Sequence, residues 1–229
     1  MGDLDGRRDY RGTPLPGSVL GLSSKSKVMR LGTLAVALVA VAFLSACSVS
    51  GAKNASVEEV RAAAYVAPDA PRIALYTVVN NKTGSGGHSA ILISGSQQVI
   101  FDPAGSFVHE GVPRRGDVLF GITPTWERAY RSAHARSAYH VVTQDISVSA
   151  EDAEEMLSLA LSNGSVAAAF CTNATSSMIR QLPGFEDVEV TFFPVNLMEQ
   201  IEGRPGVTTE RYYEDDEGGV LDGIPAAEL

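Results

Sequence analysis

Of the 229 residues, 45% are hydrophobic and 20% charged, the composition of one globular domain with appendages rather than of a disordered chain. Two cysteines, Cys47 and Cys171, are too few for a disulfide scaffold. A formal charge of −9 argues against nucleic acid as a partner, because phosphate backbones select cationic surfaces.

Residues 1–28 fit neither helix nor strand periodicity and read as a dispensable extension, with the natural start at Met29. Lys25, Lys27 and Arg30 form a basic cluster ahead of Leu31–Ala46, sixteen residues without a charge. A helix of that length spans about 24 Å against a hydrocarbon core of about 30 Å, so 29–46 reads as a cleaved signal peptide rather than a permanent span. Its end, Leu44-Ser45-Ala46-Cys47, resembles the bacterial lipobox. That resemblance implies cleavage before Cys47, a diacylglycerol on its sulfur and an acylated amine, and hence a membrane partner reached through lipid. Ser48, in place of an aspartate, implies the periplasmic face of an outer membrane. Removing the six Lys/Arg and three Asp/Glu of residues 1–46 from totals of 18 and 27 leaves a formal −12 on the remainder. Anionic lipid repels such a domain, so acyl chains rather than a basic patch must hold it.

Residues 47–71 are small, polar and Ala-rich, with Pro68 and Pro71, and are expected to form a lipidated tether. The domain is expected over 72–210, followed by an acidic tail over 211–229. Ile73–Val79 is a β-branched apolar run that predicts a strand, and 80–87 a turn cluster. His88–Ile93 and Gln98–Phe101 predict a hairpin closed near Gly95, with Pro103 and Gly105 stopping the second strand so that Asp102 stands at its end. A short strand is expected within 116–121, and a helix from Thr123-Pro124 to about Arg136, proline costing nothing in the first turn. Ala138–Ile146 predicts a strand with alternating faces. A helix capped by Ser149, with Asp152 three residues on, runs to Asn163-Gly164. A helix over 171–182, a strand over 188–193 and a short helix over 194–202 follow. Hairpin pairing with helices appended predicts an α+β fold with a small antiparallel sheet.

With Cys47 committed to lipid, Cys171 is a free thiol in an oxidising compartment. The ordinary reading of such a residue is a small buried hydrophobe. Its position at the start of a predicted helix favours another, because unpaired N–H groups and the helix dipole lower a thiol pKa from about 8.5 toward neutrality. A thiolate nucleophile needs a base, and His88 opens a core strand after a glycine-rich approach with an apolar run to hold it. Asp102, at the end of the neighbouring strand, can hold the other ring nitrogen. His140 is a second candidate for base or third member, while His109 and His134 lack a comparable setting. No His-x-x-x-His or paired cysteines suggest a metal, and no phosphate loop or dinucleotide fingerprint suggests a cofactor. Trp126, Tyr130 and Tyr139 read as packing residues, and Asp145 and the acidic run 151–155 as solvated charge.

His88-Ser-Ala-Ile-Leu-Ile, Val99-Ile-Phe-Asp102 and Cys171-Thr-Asn together resemble the circularly permuted papain-like proteins of the NlpC-type superfamily, which includes lecithin:retinol acyltransferase-like proteins. The order histidine, polar residue, cysteine is the point of likeness, over roughly residues 73–182. Two positions depart from the pattern: Phe170 precedes the cysteine where the family favours Asn, and Asp102 falls about two residues late. The resemblance implies a permuted papain-like architecture in which Cys171 attacks an acyl carbon, His88 carries the proton, Asp102 orients His88 and the Cys171 N–H forms half of an oxyanion hole. The substrate class it implies is an amide or ester, in cell-wall peptide or in lipid. The alternative is a non-catalytic envelope lipoprotein that binds a wall component or protein partner, with Cys171 inert in the core.

Overall fold

The structure, a computed structural model, describes residues 54–214. Residues 1–53, on which the expected extension, signal peptide and lipidated Cys47 fall, and residues 215–229 lie outside the described residues. The fold is α+β. Its elements in chain order are α1 (Val57–Ala63), β1 (Arg72–Asn80), β2 (Gly86–Ser94), β3 (Gln98–Phe101), β4 (Arg114–Arg115), β5 (Val118–Phe120), α2 (Pro124–His134), β6 (Tyr139–Ser147), α3 (Ala150–Asn163), α4 (Cys171–Ile179), α5 (Pro194–Ile201) and β7 (Val207–Tyr213). The strands form one antiparallel sheet in the order β4-β5-β3-β2-β1-β6-β7.

Both faces of the sheet are covered, which is why β1 is buried from Ile73 through Val79 rather than at alternate positions. One face, carrying Leu75, Ile91, Ile93 and Phe101, packs against Met156 and Leu157 of α3, Ile179 of α4 and Leu197 of α5. The other, carrying Tyr76, Ala90, Leu92 and Ile100, packs against Trp126, Ala129 and Tyr130 of α2 and against Phe107 and Val112 of the 104–113 loop. The capping box expected at Ser149 is present, with both reciprocal bonds to Asp152. Among the described residues, no helix is long and apolar enough to cross a membrane.

The described structure departs from the sequence expectations in three stretches. Residues 54–71 are not a bare tether. Ser56 and Glu59 close a capping box on α1, the Ala55 N–H donates to the Arg114 carbonyl, and the Gln98 N–H donates to the Tyr65 carbonyl. At the other end the domain does not stop at residue 210, because Arg211, Tyr212 and Tyr213 complete β7 on the edge of β6. Residues 188–193 are not a strand, despite their β-branched composition. They cross α4, where the Thr191 N–H donates to Ser176 Oγ at 3.2 Å, so their main chain meets a helix rather than a strand edge.

Candidate active site

The site forms where β3 ends. β3 pairs with β2 only over Ile91–Ser94, which leaves the first half of β2, including His88 and Ser89, without a neighbour on that side. Alternation along β2 sends His88 to the α2 face with Ala90 and Leu92, and Ser89 to the α4 face with Ile91. The start of α4 closes this gap and brings Cys171 to His88. The His88 side chain and the Ser89 backbone N–H lie close enough to the thiol to favour its ionised form. Thr172 Oγ1 lies 3.7 Å from Sγ.

A buried hydroxyl cluster docks the helix on the strand. Ser89 Oγ donates to Thr172 Oγ1 at 3.1 Å and pairs with Thr175 Oγ1 at 2.9 Å. Ser176 Oγ donates to the Thr172 carbonyl at 2.6 Å. These short hydroxyl side chains let α4 approach β2 closely while satisfying each other. Ser56, Thr123 and Ser149 cap α1, α2 and α3, whereas the N-cap of α4, Phe170, provides no side-chain hydrogen bond. The N–H groups of its first turn, that of Cys171 included, therefore have no capping side chain from Phe170.

His88 Nε2 lies 2.7 Å from Asp102 Oδ1, and the Tyr130 hydroxyl donates to the same oxygen at 2.7 Å. Asp102 has no exposed surface. Arg114 Nη1 stands 4.0 Å from Asp102 Oδ2 and donates to the Gly105 carbonyl, while its Nη2 bonds Asp117. Asp102 Oδ2 occupies the space a side chain at residue 105 would need: a Cβ on Gly105 would lie 1.8 Å from it. Only glycine fits there while the carboxylate keeps its place.

Burial opposes charge on every member, and their mutual contacts overcome it. Burial would lower the His88 pKa, but its hydrogen bonds and charge interactions with Asp102 and Cys171 raise it to about 9. Burial would raise that of Cys171, but His88, the Ser89 N–H and Thr172 bring it down to about 7. Asp102 is held below its ordinary value against burial, chiefly by His88, with Tyr130 assisting. Between pH 7 and 9 the pair therefore favours thiolate and imidazolium.

His134, set among arginines on a polar helix and not expected at the site, stacks on His88 with ring centroids 5.8 Å apart. Its Nδ1–H donates to the Tyr130 carbonyl at 2.8 Å, and burial lowers its pKa, so the two rings are driven to opposite charge states. Trp126, Tyr130 and His134 lie at helical spacing on the inward side of α2; that stripe was the available signal for Tyr130 and His134, masked by the intervening arginines. Tyr130, expected only to pack, also bonds the carboxylate. His140, the second candidate base, is elsewhere: it donates to Asn81 Oδ1 at 2.7 Å and stacks on Tyr213. His109 meets Trp126 at a tilt of 48°, ring centroids 4.6 Å apart. Asp145, read as solvated charge, pairs with Arg72, which also binds Glu127.

His88, Asp102 and His134 bring three ligand-type atoms within 4.8 Å of one another, a grouping the sequence spacing did not suggest. Two ligands on one tetrahedral zinc sit about 3.3 Å apart, given bonds of roughly 2.0 Å. The 2.7 Å between His88 and Asp102 is instead the spacing of a shared proton. Comparison of the chain with protein-family models, with curated proteins and with solved structures gives no match.

Proposed function

We propose that this chain is a lipid-anchored cysteine hydrolase or acyltransferase of the circularly permuted papain-like type. The observation that carries the reading is His88, set between a fully buried carboxylate and a half-buried thiol at an uncapped helix start. Chain order supports it too: histidine on an early strand, acid at the end of the next, cysteine on a later helix. Cys171 is the nucleophile, His88 the proton carrier and Asp102 the group that orients it.

In the first half of the reaction the Cys171 thiolate attacks the carbonyl carbon of an amide or ester. An S–C bond forms and the carbonyl electron pair moves to oxygen, where the Cys171 N–H and its neighbours in the first turn stabilise it. Collapse breaks the C–N or C–O bond, and the His88 imidazolium gives its proton to the departing amine or alcohol. The thioester is then attacked by water or by an acceptor alcohol or amine, whose proton returns to His88 as the S–C bond breaks. Thiolate and imidazolium are thereby regenerated. Tyr130 holds Asp102 through Oδ1 and favours its charge, so that His88 presents one ring nitrogen to the thiol throughout.

The substrate class is a cell-wall peptide or a lipid acyl group, the two amide and ester pools met by a protein tethered through Cys47 at the periplasmic face of an outer membrane. Incubating the full chain with wall peptides and with acyl esters, followed by mass mapping, tests the reading. An acyl adduct on Cys171, absent in Cys171→Ser and strongly reduced in His88→Ala, is the expected result. A thiol that titrates above about 8 and is indifferent to His88→Ala overturns it.

A further inference from the structure

His88 stands where the sheet gives it least support. β3 does not reach this part of β2, so no neighbouring strand walls in the ring on that side, and the bond between Nε2 and Asp102 holds one edge of it. An imidazole held at a single nitrogen still pivots about its Cβ, and a pivot changes the distance from its other nitrogen to Cys171; precise presentation needs a second support. One face of the ring is closed by His134, whose ring lies 5.8 Å away between centroids and within 16° of parallel, in the range of offset aromatic stacking.

His134 is in turn fixed at several points. It is the last residue of α2, and its Nδ1–H donates back to the Tyr130 carbonyl. Its ring meets that of Tyr130 with centroids 4.3 Å apart and that of Phe107 at 6.4 Å. Tyr130 thereby serves at both ends: its hydroxyl holds Asp102 and its carbonyl holds His134, so one turn of α2 sets the acid and the stacking ring relative to each other. The position suits a neutral ring, because a second cation against the His88 imidazolium would repel it. The charged groups acting on His134 from other elements are His88 of β2 and Asp102 beyond β3; burial and His88 favour its neutral form, and Asp102 opposes them. The cations nearest in sequence are engaged elsewhere, Arg131 with Glu210 and Arg136 with Ser132 Oγ.

We infer that His134 is a positioning residue of the site: its ring closes one face of the His88 imidazole and, by blocking the pivot, keeps one nitrogen on Asp102 and the other toward Cys171. The inference rests on the catalytic reading and adds to it a residue that acts through His88 rather than on the acyl carbon. A histidine that merely finished α2 would use its Nδ1–H and not its ring face, so the two roles separate by substitution. Phenylalanine keeps a flat ring and loses the donor. Glutamine loses the ring and keeps a donor within reach of the carbonyl four residues back, a bond that Gln181 makes to Ser177 in this protein.

Two readouts on the full chain test it. Iodoacetamide labelling of Cys171 against pH, read by mass spectrometry, reports how well the imidazolium faces the thiol. Proton NMR of the downfield Nε2–H that His88 shares with Asp102, assigned by its absence in His88→Ala, reports the histidine and its acid directly and needs no reactive thiol. His134→Ala and His134→Gln should each raise the labelling midpoint from about 7 by about half a unit to one unit, leaving about two- to fivefold less thiolate at pH 7, and should broaden the Nε2–H signal through exchange with water. His134→Phe should keep the wild-type midpoint and a sharp signal. A signal as sharp in His134→Ala or His134→Gln as in the wild type overturns the inference, and so does its loss in His134→Phe, which would make the bond to the Tyr130 carbonyl the determinant. Failure of the catalytic reading is distinct: it shows as a labelling midpoint that His88→Ala leaves in place, whatever the NMR signal does.

Discussion

On the α4 face of the sheet, the helix that carries Cys171 is held to β2 by neutral serine and threonine hydroxyls, and the thiol stays half-buried beside Thr172 Oγ1. On the α2 face, His88 is held by a carboxylate without exposed surface, which is fixed in turn by Tyr130 and flanked by Arg114. The neutral shell offers a thiolate little charge compensation, so its stability depends on the imidazolium reaching through the gap beyond β3. The carboxylate, by contrast, is desolvated at a cost of several kcal/mol and is kept ionised only by its partners. Reactivity and stability should therefore separate: substitutions that silence His88 act first on the thiol, and substitutions at Asp102 act on the fold as well.

The largest effect is expected for His88→Ala. Without the imidazolium, the Cys171 pKa should rise from about 7 to its ordinary range, and acyl transfer should fall by about 10²- to 10⁴-fold. Iodoacetamide labelling against pH reads the first and single-turnover acylation the second. In the wild type the thiolate appears as pH rises through about 7, and the imidazolium is lost as pH rises through about 9. Turnover should therefore be bell-shaped with limbs near those values, which belong to the coupled pair, while labelling should show the acid limb alone.

Asp102→Ala should cost about 3–5 kcal/mol in urea denaturation, because it strips the buried His88 ring and Tyr130 hydroxyl of their shared acceptor. The sign of its pH dependence follows from the two shifts. Asp102 has a lowered folded pKa, so its contribution is present above the unfolded value of about 3.9 and disappears as pH falls through the folded one. His88 has a raised pKa, so its contribution is full below about 6.5 and disappears as pH rises through about 9. The gap between wild type and variant should be widest between about pH 4 and 6.5. Tyr130→Phe is the milder form of the same break. It removes one hydrogen bond to a charged group, about 1.5–3 kcal/mol, and keeps the ring that packs on Phe107.

These side chains were unequally legible in the sequence. His88, Asp102 and Cys171 could be named because local punctuation places each of them: a glycine run before a strand, a Pro-Gly stop after one, and the start of a helix. Tyr130 and His134 left only a helical stripe with Trp126, broken by arginines, and Arg114 left no signal, because its role depends on how the 102–117 loop folds back on itself. Helix α1 did carry a sequence signal, Ser56 three residues before Glu59, but its short Ala-rich run outweighed it. The 188–193 stretch has the residues of a strand, but its main chain is taken up against α4, and composition alone does not reveal that.

Ser89→Ala tests the neutral side of the comparison and should have the smallest effect. Its hydroxyl joins Thr172 and Thr175 under the helix, so alanine leaves two buried hydroxyls short of one partner, about 1–2 kcal/mol in thermal or urea unfolding. Thr175 retains the Thr172 carbonyl as an acceptor, which limits the loss. The substitution spares the Ser89 backbone N–H, which together with His88 lowers the thiol pKa. Labelling of Cys171 should thus keep its midpoint near pH 7 while the protein unfolds more readily. A midpoint that moves upward would mean that the hydroxyl cluster sets the distance between thiol and imidazole, and that the neutral side of the site governs reactivity as much as the charged one.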